Sequence, residues 1–232
     1  MNLLALDAAT TACSVACWSG GAIIAQREEI AGRRQAEILM PMLQSAMREA
    51  SFDYNMLDLI AVTIGPGSFT GVRIGLATAR GLSLASGLPL IGITTLQALA
   101  AAPPPDEHQG GLILAVLDAR RDQLYGQFFD LNGGPASDPF AAAAATIPGR
   151  LNKLCQTTAP LLLVGSGAEL AARALEEAGR PFGYSKSPPF PSAATIAALV
   201  AARGFDRTAN TRVAPLYLRE PGVTVRTPSA DS

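Results

Sequence analysis

The feature that most constrains the fold is a repeat between the two halves of the sequence. The first half opens with Leu4-Ala5-Leu6-Asp7-Ala8, and the second opens with Ala115-Val116-Leu117-Asp118-Ala119. Each half then reaches a nearly continuous apolar run, residues 59–64 (with Thr63 as its one polar residue) and 161–164, and a glycine follows each run. Apolar runs without alternation are typical of parallel strands covered on both faces. The repeat predicts two α/β domains with mixed sheets, each ordered as three hairpin-connected strands, helix, strand and helix.

Proline and glycine mark the boundary between the two halves. The stretch from Ala101 to Gly111 contains three consecutive prolines and ends on two glycines, a composition typical of a linker. A chain of 232 residues can supply two domains of roughly 100 residues each. The sequence therefore predicts an N-terminal domain at residues 1–102, a linker at residues 103–111 and a C-terminal domain at residues 112–232.

This order of elements resembles that of the actin, hexokinase and Hsp70 superfamily, whose domains are ribonuclease H-like. The resemblance implies two tandem actin-like domains, between which members of the superfamily hold ATP. The physical basis is general, because a carboxylate at a strand end and the backbone N–H groups of tight turns can hold a metal-bound polyphosphate. We therefore expect a cleft between the two halves of the chain.

The charge balance argues against nucleic-acid binding through bulk electrostatics. The formal net charge is −1, and the only lysines are Lys153 and Lys186. Proteins that bind nucleic acids by themselves normally carry a basic excess or a basic stripe. If the chain acts on RNA, we expect it to do so together with another protein.

The distribution of apolar residues argues against a membrane protein. No run approaches the roughly 18–20 apolar residues that a membrane-spanning helix needs. The N-terminal stretch lacks a basic segment, and Asp7 interrupts it, so a buried first strand is favoured over a signal peptide. We expect a cytoplasmic protein with no membrane partner.

The scarcity of histidine excludes two classes of active site. His108 is the only histidine, and it lies in the predicted linker. A Ser-His-Asp hydrolase needs a histidine on a positioned strand or loop, and a histidine-based metal site needs at least two. Cys13, Cys17 and Cys155 complete no zinc set either. We therefore expect no catalytic metal in this chain.

The most informative segment is residues 65–75, Gly-Pro-Gly-Ser-Phe-Thr-Gly-Val-Arg-Ile-Gly. Glycines at a strand-to-helix junction allow positive φ and close backbone approach, and Ser68 or Thr70 can cap the following helix. A Walker A loop requires a lysine after its last glycine, and no lysine follows here. Thr70 stands where a dinucleotide fingerprint needs its third glycine. Two interpretations stay open: an anion site at the helix N-terminus, and a tight turn before a capped helix.

Acidic and hydroxyl residues at two hairpin turns complete the predicted cleft. Thr10 and Thr11 follow Asp7, and Asp118 is its counterpart in the second half. The two residues directly after Asp7 are alanines, where glycine is commoner in kinases of the superfamily, so we expect weak or absent nucleotide affinity. For the second turn a solvated hairpin tip is the alternative. The candidate residues for a nucleotide or anion cleft are Asp7, Thr10, Thr11, Gly65, Gly67, Ser68 and Asp118.

Two helices of the first half, predicted at residues 34–50 and 70–86, carry more apolar or small residues than one buried face requires. Small side chains such as Gly75 and Ala79 would let another helix approach closely. We therefore predict an exposed two-helix surface for a protein partner, with packing on the chain's own sheet as the alternative. The predicted interface residues are Glu37, Leu39, Leu43, Met47, Arg73, Leu76, Ala79 and Arg80.

Residues 65–75 are similar to the signature of the TsaB (YeaZ) family. Supporting segments are Leu4-Ala5-Leu6-Asp7-Ala8-Ala9-Thr10, Leu117-Asp118-Ala119-Arg120-Arg121 and Leu216-Tyr217-Leu218-Arg219. The resemblance covers almost the whole chain. It implies an actin-like, non-catalytic subunit of the machinery that transfers threonylcarbamoyl to N6 of adenosine 37 in tRNAs that read codons beginning with A.

The resemblance also implies partners. The catalytic relative, TsaD, holds its metal with a pair of helical histidines, and the corresponding helix here, near residues 34–37, offers none. The expected assemblies are a heterodimer with TsaD and a homodimer when TsaD is absent, with the TsaE ATPase as a further member. The complex uses ATP and contacts tRNA, whereas the chain has no cofactor of its own. The alternative is an independent kinase or ATPase of the actin-like superfamily; the missing histidines disfavour a glycoprotease.

Overall fold

Two five-stranded mixed sheets form the framework of the protein. The computed structural model describes residues 1–108, 111–155, 159–204 and 213–219. The first sheet contains β1 Leu3–Asp7, β2 Ala12–Ser19, β3 Ala22–Ile30, β4 Leu59–Thr63 and β5 Leu90–Ile93. The second contains β6 Ile113–Asp118, β7 Gln123–Phe129, β8 Phe140–Ala143, β9 Leu161–Val164 and β10 Phe182–Tyr184. The helices are α1 Gln35–Glu49, α2 Phe69–Ser86, α3 Thr95–Ala100, α4 Ile147–Leu154, α5 Ala168–Glu177 and α6 Ala193–Arg203.

The two sheets have the same topology. Their strand orders are β3-β2-β1-β4-β5 and β8-β7-β6-β9-β10. In each sheet the first three strands are antiparallel, and the last two run parallel to the first. The predicted repeat and the two-sheet α/β fold are therefore confirmed. The helices predicted at residues 34–50 and 70–86 are α1 and α2, within one residue at each end.

Strands β1 and β4 are apolar up to their last residues, Asp7 and Thr63, because helices cover both of their faces. Successive side chains of a strand point to opposite faces of the sheet. One face packs with α1 and α2 through Leu4, Leu6, Ile60 and Val62. The opposite face packs with α6 through Leu3, Ala5, Leu59 and Ala61. The run of apolar residues in each strand is thus divided between two cores.

Two helices pack on the sheet of the other repeat and not on the sheet of the predicted domain to which they belong by sequence. Helix α6 belongs by sequence to residues 112–232, but it packs on the first sheet, where Ile196 and Val200 join the core. Helix α3 belongs to residues 1–102, but its Leu96 and Leu99 pack in a core of the second sheet. Periodicity identifies the apolar face of a helix but not the sheet that this face covers, so a cut at the linker separates elements that pack together.

The C-terminal strap, which we define as residues 213–219, also returns to the first repeat. The backbone N–H of Leu216 donates a hydrogen bond to the carbonyl of Ile64, 2.8 Å away. Val213 packs against the core beside Ile64. The predicted domain 112–232 also includes residues 220–232, which lie outside the described residues. Within the described ranges, every helix is too short or too polar to cross a membrane.

Candidate functional site

A cleft of about 530 Å³ lies between the two repeats. Of the seven predicted cleft residues, the structure brings five to its wall: Thr10, Thr11, Gly67, Ser68 and Asp118. The remaining two, Asp7 and Gly65, are buried behind the wall. Sequence reasoning missed several other lining residues, among them Arg33, Gln35, Tyr125, Ser166 and Phe190. A second concavity of about 610 Å³ beside Phe140 and Arg150 contains none of the predicted residues.

Asp7 is a fully buried carboxyl at the end of β1. Its Oδ1 accepts hydrogen bonds from the Thr63 hydroxyl and from the backbone N–H of Ala9. Its Oδ2 is buried without a hydrogen-bond partner among the described residues. Burial raises the pKa of Asp7 to about 7, although both hydrogen bonds act in the opposite direction. The prediction that Asp7 faces the cleft is therefore wrong, because its side chain is fully buried and does not line the cleft.

The glycine segment packs directly on the turn after β1. A Cβ at Gly67 would lie 2.2 Å from the carbonyl oxygen of Ala9, and one at Gly71 would lie 2.1 Å from that of Ala8. The backbone N–H of Ser68 donates to the Ala9 carbonyl at 2.7 Å, while Ser68 Oγ accepts from the N–H of Gly71. The capped-helix interpretation of this segment is thus confirmed. These contacts use two N–H groups that an anion would otherwise need.

Gly65 contacts the strap and does not line the cleft. Its φ of +100° is a conformation that other residues rarely adopt. A Cβ at this position would lie 2.8 Å from the carbonyl oxygen of Leu216. Its own carbonyl accepts a hydrogen bond from the N–H of Thr95 at the start of α3. The prediction that Gly65 lines the cleft is therefore wrong, because the strap and α3 occupy the space around it.

The turn after β6 forms the opposite wall. Asp118 is exposed, and its Oδ1 accepts a hydrogen bond from the N–H of Arg120 at 2.7 Å. The hydroxyl of Ser166 accepts from the N–H of Asp118 at 3.2 Å. Residues 120–122 all have positive φ although none is glycine. The turn therefore presents Asp118 and Arg120 to the cleft from a tightly wound backbone.

The predicted partner surface is only partly exposed. Of the eight predicted residues, Glu37, Arg73 and Arg80 are exposed. The other five are at most 5% exposed, because they fill the core between the two helices and the first sheet: Leu39, Leu43, Met47, Leu76 and Ala79. The premise that these five side chains are available to a partner is therefore wrong. The apolar faces of α1 and α2 are both wide because each helix packs on the first sheet and on the other helix.

A different set of side chains occupies the outside of the helix pair. We define the outer face as Glu37, Met40, Arg73, Ala77, Arg80, Gly81 and Leu84, all of which are exposed. Leu84 is 87% exposed and Met40 is 37% exposed. On α2 these residues recur every three or four positions, so they lie along one side of the helix. The outer face combines apolar and small side chains with charges of both signs.

Histidine and cysteine lie away from the cleft. His108 ends a short 3-10 helix at Pro105–Glu107. Burial raises the pKa of Cys13 to about 12 and that of Cys17 to about 11, so both thiols stay protonated. In the part of the chain that the structure describes, no three His, Cys, Asp or Glu side chains are grouped as a metal site would require.

Comparisons with known proteins agree with this architecture. Residues 23–218 match the family model of TsaD, tRNA N6-adenosine threonylcarbamoyltransferase. The tRNA threonylcarbamoyladenosine biosynthesis protein TsaB of Escherichia coli is 38% identical over 125 residues, which are 54% of this chain and 53% of that protein. The match thus spans about half the length of this curated relative.

Solved structures extend the similarity to nearly the whole chain. YeaZ from Pseudomonas aeruginosa has a TM-score of 0.69 at 27% identity and covers 94% of this chain and 99% of its own. The ethanolamine utilization protein EutJ of Carboxydothermus hydrogenoformans has a TM-score of 0.52 at 12% identity, covering 85% of this chain and 89% of its own. The similarity to EutJ concerns the fold alone.

Proposed function

The chain belongs to the TsaB (YeaZ) family of actin-like proteins, and we propose that it is a non-catalytic partner subunit in threonylcarbamoyladenosine synthesis on tRNA. In this proposal it supports a TsaD-type transferase, which modifies N6 of adenosine 37 in tRNAs that read codons beginning with A. The observation that carries the proposal is the family match over residues 23–218, in a chain with a single histidine located in the linker. Two histidines on one helix, as a TsaD-type metal site would use, are not available in the sequence.

The outer face is the surface that we assign to the partner. It offers Leu84 and Met40 as apolar contacts, while Ala77 and Gly81 leave room for the backbone of an approaching helix. Glu37 and the two arginines supply charges of opposite sign, so the same face can pair with a second copy of this chain or with a different protein. We therefore propose a heterodimer with TsaD, a homodimer when TsaD is absent, and TsaE as a further member of the assembly.

The cleft has a secondary place in this proposal. The N–H of Ser68 at its wall is engaged by the Ala9 carbonyl, and the carboxyl of Asp7 lies behind the wall. A kinase or ATPase acting alone would need a carboxylate that reaches the metal or the acceptor hydroxyl. Asp118 is the exposed carboxylate at this wall, and it already accepts a hydrogen bond from Arg120. We therefore propose weak or absent nucleotide affinity for the isolated chain, with ATP used by the assembled complex.

Reconstitution with purified components tests the proposal. The expected result is no threonylcarbamoylated tRNA from this chain alone, and product after addition of TsaD, TsaE, ATP and the threonylcarbamoyl donor. Omission of this chain from the full mixture is the matched control and should abolish product. Modification of tRNA or sustained ATP turnover by the chain alone would overturn the proposal in favour of an independent enzyme.

Affinity for nucleotide is measured separately by titration calorimetry with ATP and Mg²⁺. We expect no binding below the millimolar range. Submicromolar affinity would show that the cleft is a working nucleotide site and would support the independent kinase or ATPase.

A further inference from the structure

The C-terminal strap builds a cluster of exposed side chains at the start of α2. The rings of Phe69 and Tyr217 lie 5.5 Å apart, and they are 42% and 40% exposed. The guanidinium of Arg73 stacks 3.6 Å above the Phe69 ring, and its Nε donates to the Tyr217 hydroxyl at 3.1 Å. Two aromatic rings thus fix the orientation of an arginine that is itself exposed to solvent.

A second arginine is held by the same segment. Arg80, two turns further along α2, donates a hydrogen bond to the carbonyl of Val213 at 2.6 Å. Among the described residues, neither Arg73 nor Arg80 forms an ion pair with an acidic side chain. The strap therefore positions two cations along one side of α2, and neither is paired with a carboxylate of the described residues.

On the premise of the function given above, we propose that the strap is part of the partner surface, where Phe69, Arg73 and Tyr217 receive a carboxylate side chain of the transferase. A guanidinium in a fixed orientation binds a carboxylate through paired, charge-assisted hydrogen bonds. Tyrosine and arginine beside exposed apolar area are the residue types that contribute most to protein–protein binding. Arg73 and Arg80 also belong to the outer face, so the cluster extends that surface toward the cleft.

The surroundings favour a protein over RNA as the occupant. RNA phosphates could also bind two arginines, and bases could stack on the exposed rings. The same side of α2, however, continues into Ala77, Gly81 and the 87% exposed Leu84, an apolar strip that suits a protein surface. The chain also has a net charge of −1, without the basic excess typical of nucleic-acid binding.

Binding of the organism's own TsaD-type transferase, measured by titration calorimetry, tests the proposal. We expect Arg73→Gln and Tyr217→Ala each to weaken binding at least tenfold. Tyr217→Phe keeps the ring but loses the hydroxyl that holds Arg73, so we expect a loss of about threefold. Tyr184→Ala removes a comparably exposed ring from β10 and is the matched control, with unchanged affinity. Circular dichroism and melting temperatures confirm that each variant is folded.

The outcomes separate this proposal from the one on which it rests. If the wild-type chain does not bind the transferase, the proposed function fails. If the wild type binds and Tyr217→Ala and Arg73→Gln bind equally well, the partner surface excludes the strap and only the present proposal is wrong. If both variants keep their affinity for the transferase but the assembled complex loses affinity for tRNA, the cluster is an RNA contact, which also overturns the proposal.

Discussion

Thr63 and Asp7 are joined by a buried hydrogen bond between the ends of two parallel strands, in which the threonine hydroxyl donates to Oδ1 of the carboxyl. This bond holds the end of β4 beside the end of β1, directly behind the wall of the cleft. It leaves Oδ2 of Asp7 without a partner among the described residues, in surroundings that favour the protonated acid. The buried carboxyl of Asp7 is therefore a source of pH sensitivity.

The first prediction concerns this pH sensitivity. The pKa of Asp7 is raised from 3.8 to about 7 in the folded state, so between these values the folded chain binds a proton that the unfolded chain has released. The contribution of protonated Asp7 to the free energy of unfolding should therefore be greatest below pH 4. It should decrease as pH rises to 7. We expect Asp7→Asn to remove this loss, which amounts to about 2 kcal/mol between pH 5 and pH 7.

Urea unfolding at several pH values measures this effect. Asp53→Asn changes an exposed acidic residue and is the control, with a wild-type pH profile. Equal pH slopes for Asp7→Asn and the wild type would contradict the raised pKa.

The second prediction separates the two sides of α2. Ala79 is fully buried against the sheet, whereas Ala77 is exposed on the outer face. We expect Ala79→Arg to lower the free energy of unfolding by about 4 kcal/mol or more, because it forces a charge into the core. Ala77→Arg should change it by less than about 0.5 kcal/mol while blocking association. Light scattering and thermal melts of both variants provide the measurement, and a folded, monomeric Ala79→Arg would contradict the burial of this residue.

The third prediction concerns the contact between the glycine segment and the turn after β1. Gly71→Ala places a Cβ 2.1 Å from the Ala8 carbonyl, so we expect a loss of about 1–3 kcal/mol in stability. Gly81 lies in the same helix with open space around it, and Gly81→Ala should gain roughly 0.5–1 kcal/mol. Denaturant midpoints of the pair give the comparison. Two gains of equal size would mean that the turn does not pack on α2.

The fourth prediction tests the attachment of α6 to the first sheet. The hydroxyl of Ser14, buried on β2, accepts a hydrogen bond from the N–H of Ala193 at 2.8 Å. Ser14→Ala leaves that N–H without its partner, so we expect a loss of about 1–3 kcal/mol. Ser86→Ala, at the exposed end of α2, should cost less than about 0.5 kcal/mol. The backbone amides of α6 should exchange hydrogen faster in Ser14→Ala than in the wild type, and at the wild-type rate in Ser86→Ala. Unchanged protection of α6 in Ser14→Ala would contradict this attachment.

The sequence predicts the repeat, the two sheets and the first two helices because these depend on local apolar patterns. Strands β1 and β9 are short runs of apolar residues, and such runs identify buried strands wherever they occur. The same patterns do not reveal which of two sheets receives α3 or α6, since both sheets offer an apolar face. That choice depends on contacts between residues such as Ser14 and Ala193, which are far apart in the chain.

The candidate site was predicted less completely for a related reason. The residue types at Thr10, Ser68 and Asp118 suggest a cleft, and the structure brings them together. The side-chain direction at Asp7 depends on how tightly Ala8 and Ala9 pack on the glycine segment, and that packing is a property of the folded chain. Leu39 and Leu84 look equally suited to a partner in the sequence, and only the position of the sheet shows that Leu39 is internal.

The crossing of α3 and α6 has a consequence for synthesis on the ribosome. All five strands of the first sheet precede Thr94 in the chain, but one face of this sheet is covered only when Ala193–Arg203 has been made. The nascent first sheet therefore carries an uncovered apolar face while most of the second repeat is translated, a condition that exposes folding intermediates to aggregation. Contacts of such long sequence separation also slow folding. We therefore expect the two halves to complete their packing together, after α6 has been made, and not one after the other.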